Sequence, residues 1–348
     1  MRIRTALSVT ATTAAVALML SGCVAGEGST GSAAPAAGAT VGDQWSSSTL
    51  NLDFATYNPL SLIIKEHGWI EETLGGDVAV TWTQSAGSNK ANEALRASAI
   101  DVGSTAGSAA LLARANGSPI QTISIYTQPE WAAIVVPADS DIDSVEDLAG
   151  RSIAATKGTD PYFFLLQSLE EHGVELSDVE VQNIQHADGR GALESGAVDA
   201  WSGLDPIMAD TEVNNGSKLI YRNIDFNSYG FLNAREEFLL KSPDLAQVVV
   251  DAYEKARDWA LENPEETAAI LADVAGIELA IAEKVILERT VIDLDPVPGE
   301  AQRAVLEVVG PIFVESGDVK SQDLIDDALD SLLNEEFATQ ADPSTIAD

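Results

Sequence analysis

Between residues 50 and 235, short apolar or alternating runs trade places with stretches whose apolar residues recur every three or four positions. The first run, Leu-Asn-Leu-Asp-Phe-Ala over 50–55, alternates as a half-buried strand does, and an amphipathic helix to His67 follows a polar turn. Further strands are predicted at 78–83, 99–103, 120–126, 132–137, 151–156 and 198–201, the last of these closing its series. Helices are predicted from Ser88, as N-cap, through Arg96, over 109–115, from Pro161 with Asp160 as N-cap, and from Gln185 to near Gly196. From Pro243 onward the period is helical: 244–262, 264–274, 277–287, about 299–316 and 321–334, with 336–348 expected to fray. Strand–helix alternation implies an α/β fold of mostly parallel sheets flanked by helices. Chain crossings near 130 and 227 divide it into one lobe of 49–130 with 227–335 and a second of 131–226. A small solute would lie between two such lobes in a clamshell.

The first 22 residues change the picture of where the chain works. Arg2 and Arg4 precede an apolar run, 6–20, that is too short to span a bilayer comfortably. Leu20-Ser21-Gly22-Cys23 then matches the bacterial lipobox, and Cys23 is the sole cysteine. Residues 1–22 are therefore expected to be a lipoprotein signal peptide and Cys23 the lipidated residue, leaving a mature fold without thiol or disulfide. Residues 23–48 are rich in Gly, Ala, Ser and Thr and read as a flexible tether. The expected location is extracytoplasmic, anchored to the membrane by lipid, as a monomer.

Candidate chemistry lies where strands run into helices. The stretch DLAGRSIAATKGTDP places Gly158, Thr159 and Asp160 between a buried strand and a helix start, where free N–H groups can hold a small anion. Ser104 and Thr105, expected at the start of the helix of 109–115, suit the same task, with Lys157 and Arg190 as possible cations. Trp131, at the first crossing, could stack on a solute or simply pack the hinge. Asp160 is either a plain cap or an acid that pairs with an amine. Asp188, Asp205 and Glu130 lie in loops expected nearby, which favours a zwitterion or an amine as much as an anion.

The chain carries 55 acids against 19 bases, a net charge of −36, which disfavours nucleic acid as a partner. No HExxH, CxxC, GxSxG or phosphate-loop motif is present, and the three histidines are scattered. Neither cofactor nor metal is called for, and with 55 acids a chance carboxylate pair is weak grounds for an enzyme.

The run DLAGRSIAATKGTDPYFFLLQSLEEHGVELSDVEV, followed by ALESGAVDAWSGLDP, resembles the solute-binding proteins of ABC importers, in the aliphatic sulfonate, taurine and nitrate branch. The resemblance spans about 50–315. It implies capture of a sulfonate-like or zwitterionic solute and delivery to a permease with its ATPase. It also implies that the loop Thr56, Tyr57, Asn58 points into the cleft and that the Gly-containing loop with Ser88 lines it. The sequence departs from the sulfonate pattern at Asp160, where that family has a neutral polar residue. Relatives tied to thiamine-precursor binding or synthesis, and ligand sensors, are the competing readings.

Overall fold

The computed structural model describes residues 45–348; the expected signal peptide, Cys23 and the tether up to residue 44 lie outside the described residues. The chain opens with β1 (Thr49–Phe54), α1 (Pro59–His67), α2 (Trp69–Leu74), β2 (Ala79–Gln84), α3 (Ser88–Arg96), β3 (Val102–Ala106), α4 (Gly107–Ala115) and β4 (Ile120–Pro129). It crosses into β5 (Ile134–Val136), β6 (Ser152–Ala155), α5 (Asp160–Glu171), β7 (Glu180–Asn183), α6 (His186–Glu194), β8 (Ala200–Ser202), α7 (Ile207–Asn215) and β9 (Lys218–Tyr221). It returns through β10 (Gly230–Arg235), α8 (Glu236–Lys241), α9 (Pro243–Glu262), α10 (Pro264–Ala275), α11 (Leu279–Glu283) and β11 (Thr290–Val291). It closes with α12 (Glu300–Glu315), α13 (Gln322–Leu332) and α14 (Glu336–Thr339).

Two mixed sheets result, with strand orders β11-β4-β10-β3-β1-β2 and β7-β6-β8-β5-β9. β1 runs parallel to β2 and β3, and β6 runs parallel to β7 and β8. β10 enters the first sheet antiparallel between β3 and β4, and β5 enters the second antiparallel between β8 and β9. These two inserted strands carry the chain's exchanges between sheets, so the segments beside them, 130–133 and 222–229, form the hinge. This is the two-lobed α/β architecture of periplasmic binding proteins.

Local chemistry explains the key elements. Leu50 and Leu52 of β1 face the core, in register with Val80 and Val102. Asn58 caps α1 by accepting from Ser61 N, Pro59 follows at the first turn, and Gly68 ends the helix with φ 67°. β3 is wholly buried and rich in small residues, so α4 can follow it without a break. Gly230 lies against the Tyr126 ring, where an added Cβ would collide.

Six expectations change. Gly87, not Ser88, is the N-cap of α3. The third strand begins and ends later, so Ser104 and Thr105 belong to β3 and not to a helix start. Thr159, extended at φ −133° and ψ 159°, is the N-cap of α5, which makes Asp160 its first residue and frees the carboxylate. The strand near 200 is not the last of its sheet, because β9 follows it. The tail does not fray: Phe337 and Ile346 are buried, and Lys255 Nζ donates to the carbonyls of Ile346 and Ala347. Order also begins before residue 49, since Ser46 N donates to Asp244 at 2.8 Å.

Candidate functional site

Four helix starts meet between the sheets. α3, α4, α5 and α6 begin after Gly87, Ala106, Thr159 and Gln185, and none is capped by the side chain of the residue before it, although Ser228 Oγ accepts from Ser108 N at the start of α4 at 3.0 Å. Ser88, Ala106, Thr159 and His186 line one small cavity together, with Tyr57 and Trp131 as its aromatic walls. An added Cβ at Gly87 would lie 3.0 Å from His186 Nε2, and one at Gly158 would lie 3.6 Å from Asn89 Cβ. The starts of α3, α5 and α6 therefore face one another, and their positive ends sum over one spot suited to an oxyanion.

Asp160 stands at this junction and ties the sheets together. Its carboxylate accepts from Ser108 Oγ at 2.5 Å and Ser228 Oγ at 2.7 Å on one oxygen. The other oxygen accepts from Trp131 Nε1 at 2.7 Å and Ser228 N at 2.8 Å. All four donors are neutral. Burial pushes the pKa up to about 6, against the opposing pull of these hydrogen bonds. Asp53 behaves alike beneath the site: Ser104 N and Oγ donate to it, and burial raises it to about 7. Tyr57 meets the Trp131 ring edge-on at 5.9 Å and donates its hydroxyl to Ser104 O.

A second tie is charged. Asp205, at the end of β8, accepts from Arg289 Nη1 at 3.1 Å, while Arg289 Nη2 donates to Glu212 of α7 at 2.5 Å. Both Asp205 and Arg289 side chains are 2 % exposed. Lys284 lies 3.5 Å from Glu212. Burial still holds Asp205 up at about 6, although Arg289 pulls it down. A second small cavity lies between Thr56, Tyr57, Trp131, Asp205 and Arg289.

The structure brings Thr56, Tyr57, Ser88, Trp131, Thr159, Asp160 and Asp205 onto these two cavities, with Gly158 at the edge facing Asn89. It does not bring the others. Asn58 is spent on its cap and on a bond to Tyr253 Oη. Ser104 serves Asp53, and Thr105 Oγ1 accepts from Asn233 within the first sheet. Asp188 is exposed on α6, two residues and about 200° round the helix from the buried His186. Arg190 pairs with Glu194 and Asp210, and Glu130 with Arg222, so neither is available to a solute. Sequence reasoning missed Asp53, His186, Ser228 and Arg289, and it placed Ser108 only among the hydroxyls that open the helix after Ser104 and Thr105. The hydroxyl in Gly107-Ser108 was the one local signal, since it begins α4.

Each of the two cavities has about 10 Å³ of free space, the room of one water. In this closed arrangement a larger solute enters only by parting the sheets. A larger cavity of about 360 Å³ lies elsewhere, between α5 and α12. It has an apolar floor, three glutamates (Glu170, Glu175, Glu315) and no cation in its lining, so it is a poor host for an anion.

The comparisons bear on the fold and the family. A family model described as NMT1/THI5 like matches residues 62–267. A protein of Escherichia coli (strain K12) named "Putative aliphatic sulfonates-binding protein" is 25% identical over 257 residues, 73% of this chain and 80% of the relative. The alkanesulfonate-binding protein SsuA from Xanthomonas axonopodis pv. citri, solved bound to MOPS, superposes with a TM-score of 0.73 at 22% identity, over 81% of this chain and 98% of that one. The desulfurization enzyme DSZB superposes with a TM-score of 0.62 at 16% identity, over 84% of this chain and 98% of that one. The fold thus serves both binding and catalysis, and the model match, covering more than half the sequence, shows that the chain belongs to the NMT1/THI5-like family.

Proposed function

We propose that this protein is the extracytoplasmic solute-binding component of an ABC importer, and that it captures a small sulfonate-like or zwitterionic solute between its two sheets. The observation that carries the reading is the meeting of uncapped helix starts from both sheets around Ser88, Thr159, Tyr57 and Trp131. Oriented N–H groups and hydroxyls grip an oxyanion without a full countercharge. The relatives named for sulfonates support the same solute class. The solute enters with the sheets apart, closure buries it, and a permease with its ATPase takes it from the closed form. Anchoring through an acylated Cys23 would keep the protein beside that permease.

Asp160 adjusts this chemistry. It occupies four donors that a bare anion would otherwise use, so the anionic head belongs at the starts of α3, α5 and α6 and not at Ser108 and Ser228. Taurine, with an ammonium beside its sulfonate, fits better than nitrate. A thermal-shift panel of alkanesulfonates, taurine, nitrate, sulfate, amino acids and thiamine precursors tests the reading. One solute at a hundredfold excess over Kd stabilises the folded form by about 2.7 kcal/mol. A shift with thiamine precursors alone, or turnover of any panel member, would contradict it.

A further inference from the structure

His186 begins α6 with its ring 1% exposed, on the wall of the cavity that Ser88, Thr159 and Trp131 share. Its Nδ1 lies 3.2 Å from Thr156 Oγ1. That hydroxyl has a single hydrogen, which it donates to Ile184 O at 2.7 Å. Thr156 Oγ1 can therefore only accept from the imidazole, which places the ring proton on Nδ1 and leaves Nε2 a bare acceptor. Burial holds the pKa down at about 4, so the ring is neutral at pH 7.

Nε2 is buried without a hydrogen-bond partner among the described residues. So is Asn89 Oδ1, on the opposite side of the cleft. An added Cβ at Gly87 would lie 3.0 Å from each of them, so the two acceptors stand close together beside the start of α3. Buried acceptors are nearly always satisfied, and an unsatisfied Nε2 on the wall of a ligand cavity is itself a feature that needs a cause. Oriented N–H groups of the helix starts serve an anionic head, but these two atoms can serve only a donor.

We infer that His186 Nε2 is a specificity-determining contact that accepts a hydrogen bond from an N–H or O–H group of the solute. The solute class is then an anion that carries a donor close to its head: an amino or hydroxy derivative, not a plain alkyl anion. The inference rests on the cleft being the solute site, as proposed above.

Calorimetric titration of the full chain with matched probes tests it: ethanesulfonate, 2-hydroxyethanesulfonate and 2-aminoethanesulfonate, then propionate and 3-aminopropionate. The donor-bearing member of a series is expected to bind at least about tenfold tighter than the plain one. His186→Phe is expected to weaken the donor-bearing members at least about tenfold more than the plain ones, which erases the preference, and His186→Gln, which keeps an acceptor, to restore part of it. Sulfonates that bind with no donor preference, or a preference that survives His186→Phe, would overturn the inference and leave the sulfonate reading intact. A His186-dependent preference confined to the carboxylate pair would support the inference and overturn the sulfonate reading. Binding of none of the five would overturn both.

Discussion

Two carboxylates cross the cleft, and they are held in opposite ways. Asp160 is gripped by four neutral donors from α4 and the hinge, whereas Asp205 faces a guanidinium that is itself buried. Both end near the same pKa, about 6, because burial dominates each. The difference lies in what happens when a partner is lost. Neutral donors can be removed singly, with the charge still spread over the rest. A lone guanidinium cannot, since its removal leaves Asp205 with the Ala209 N–H and no countercharge in a dry site. The Asp160 tie is thus a graded one, suited to the face where a solute must compete. The Arg289 tie is all-or-none and suits the face that fixes how the sheets meet.

That contrast can be broken experimentally, beginning with its strongest consequence. Arg289→Leu is expected to lower unfolding stability by about 3–5 kcal/mol, read by chemical denaturation, because Asp205 is stranded. Pairing it with Asp205→Leu should recover much of the loss; a double variant as unstable as the sum of both singles would contradict the charged-tie account. Asp160→Asn should cost less, about 1–3 kcal/mol, since one amide nitrogen then confronts hydroxyl and N–H donors. Ser108→Ala should cost less again, about 1 kcal/mol, because Ser228 still serves the same oxygen. A Ser108→Ala loss as large as that of Arg289→Leu would erase the distinction between the two ties.

The pH dependence is a smaller effect with a defined sign. Asp53, Asp160 and Asp205 have folded pKa values of about 7, 6 and 6, above the ordinary 3.8. Between 3.8 and those values these three groups bind more protons in the folded state than in the unfolded one, so their contribution to stability falls as pH rises through that window; His186, held at about 4 against the ordinary 6.5, opposes it as one group against three. Carboxylates held low at the surface, such as Asp147 and Asp199, act the other way only near and below pH 3.8. A melting temperature higher at about pH 5 than at about pH 8 is expected. A flat profile, or one rising toward pH 8, would mean that the buried acids are better solvated than the geometry shows.

The sequence carried the elements well and the cleft only in part. His67-Gly68 ends α1 with local capping chemistry, so that end was readable to the residue, whereas Asn58-Pro59 was read as loop and proved to be the cap and first residue of the helix. The period of the helices after Pro243 was equally plain, because amphipathicity is a local property. At Asp160 the local rule misled: Asp before Pro reads as a cap, but Thr159 took that role and released the carboxylate to the hinge. Arg289 and Asp205 stand 84 residues apart, and Ser228 and Asp160 stand 68 apart. No periodicity reports such pairs, since only the closing of two sheets brings them together. Asp188 shows the converse: it is close in sequence to the cleft residue His186, yet helical rotation turns it to solvent.

The central claim is that a small oxyanionic solute is bound where the two sheets meet. Isothermal titration of the purified chain with taurine, repeated on Trp131→Ala, tests it most directly, because Trp131 walls both cavities and holds Asp160. The account predicts one solute per chain with a Kd of about 1 μM or tighter, that is about 8 kcal/mol of binding free energy. It also predicts a loss of at least tenfold or so in a variant that still melts cooperatively. Absence of heat with taurine and with every other sulfonate, or an affinity untouched by Trp131→Ala, would contradict it.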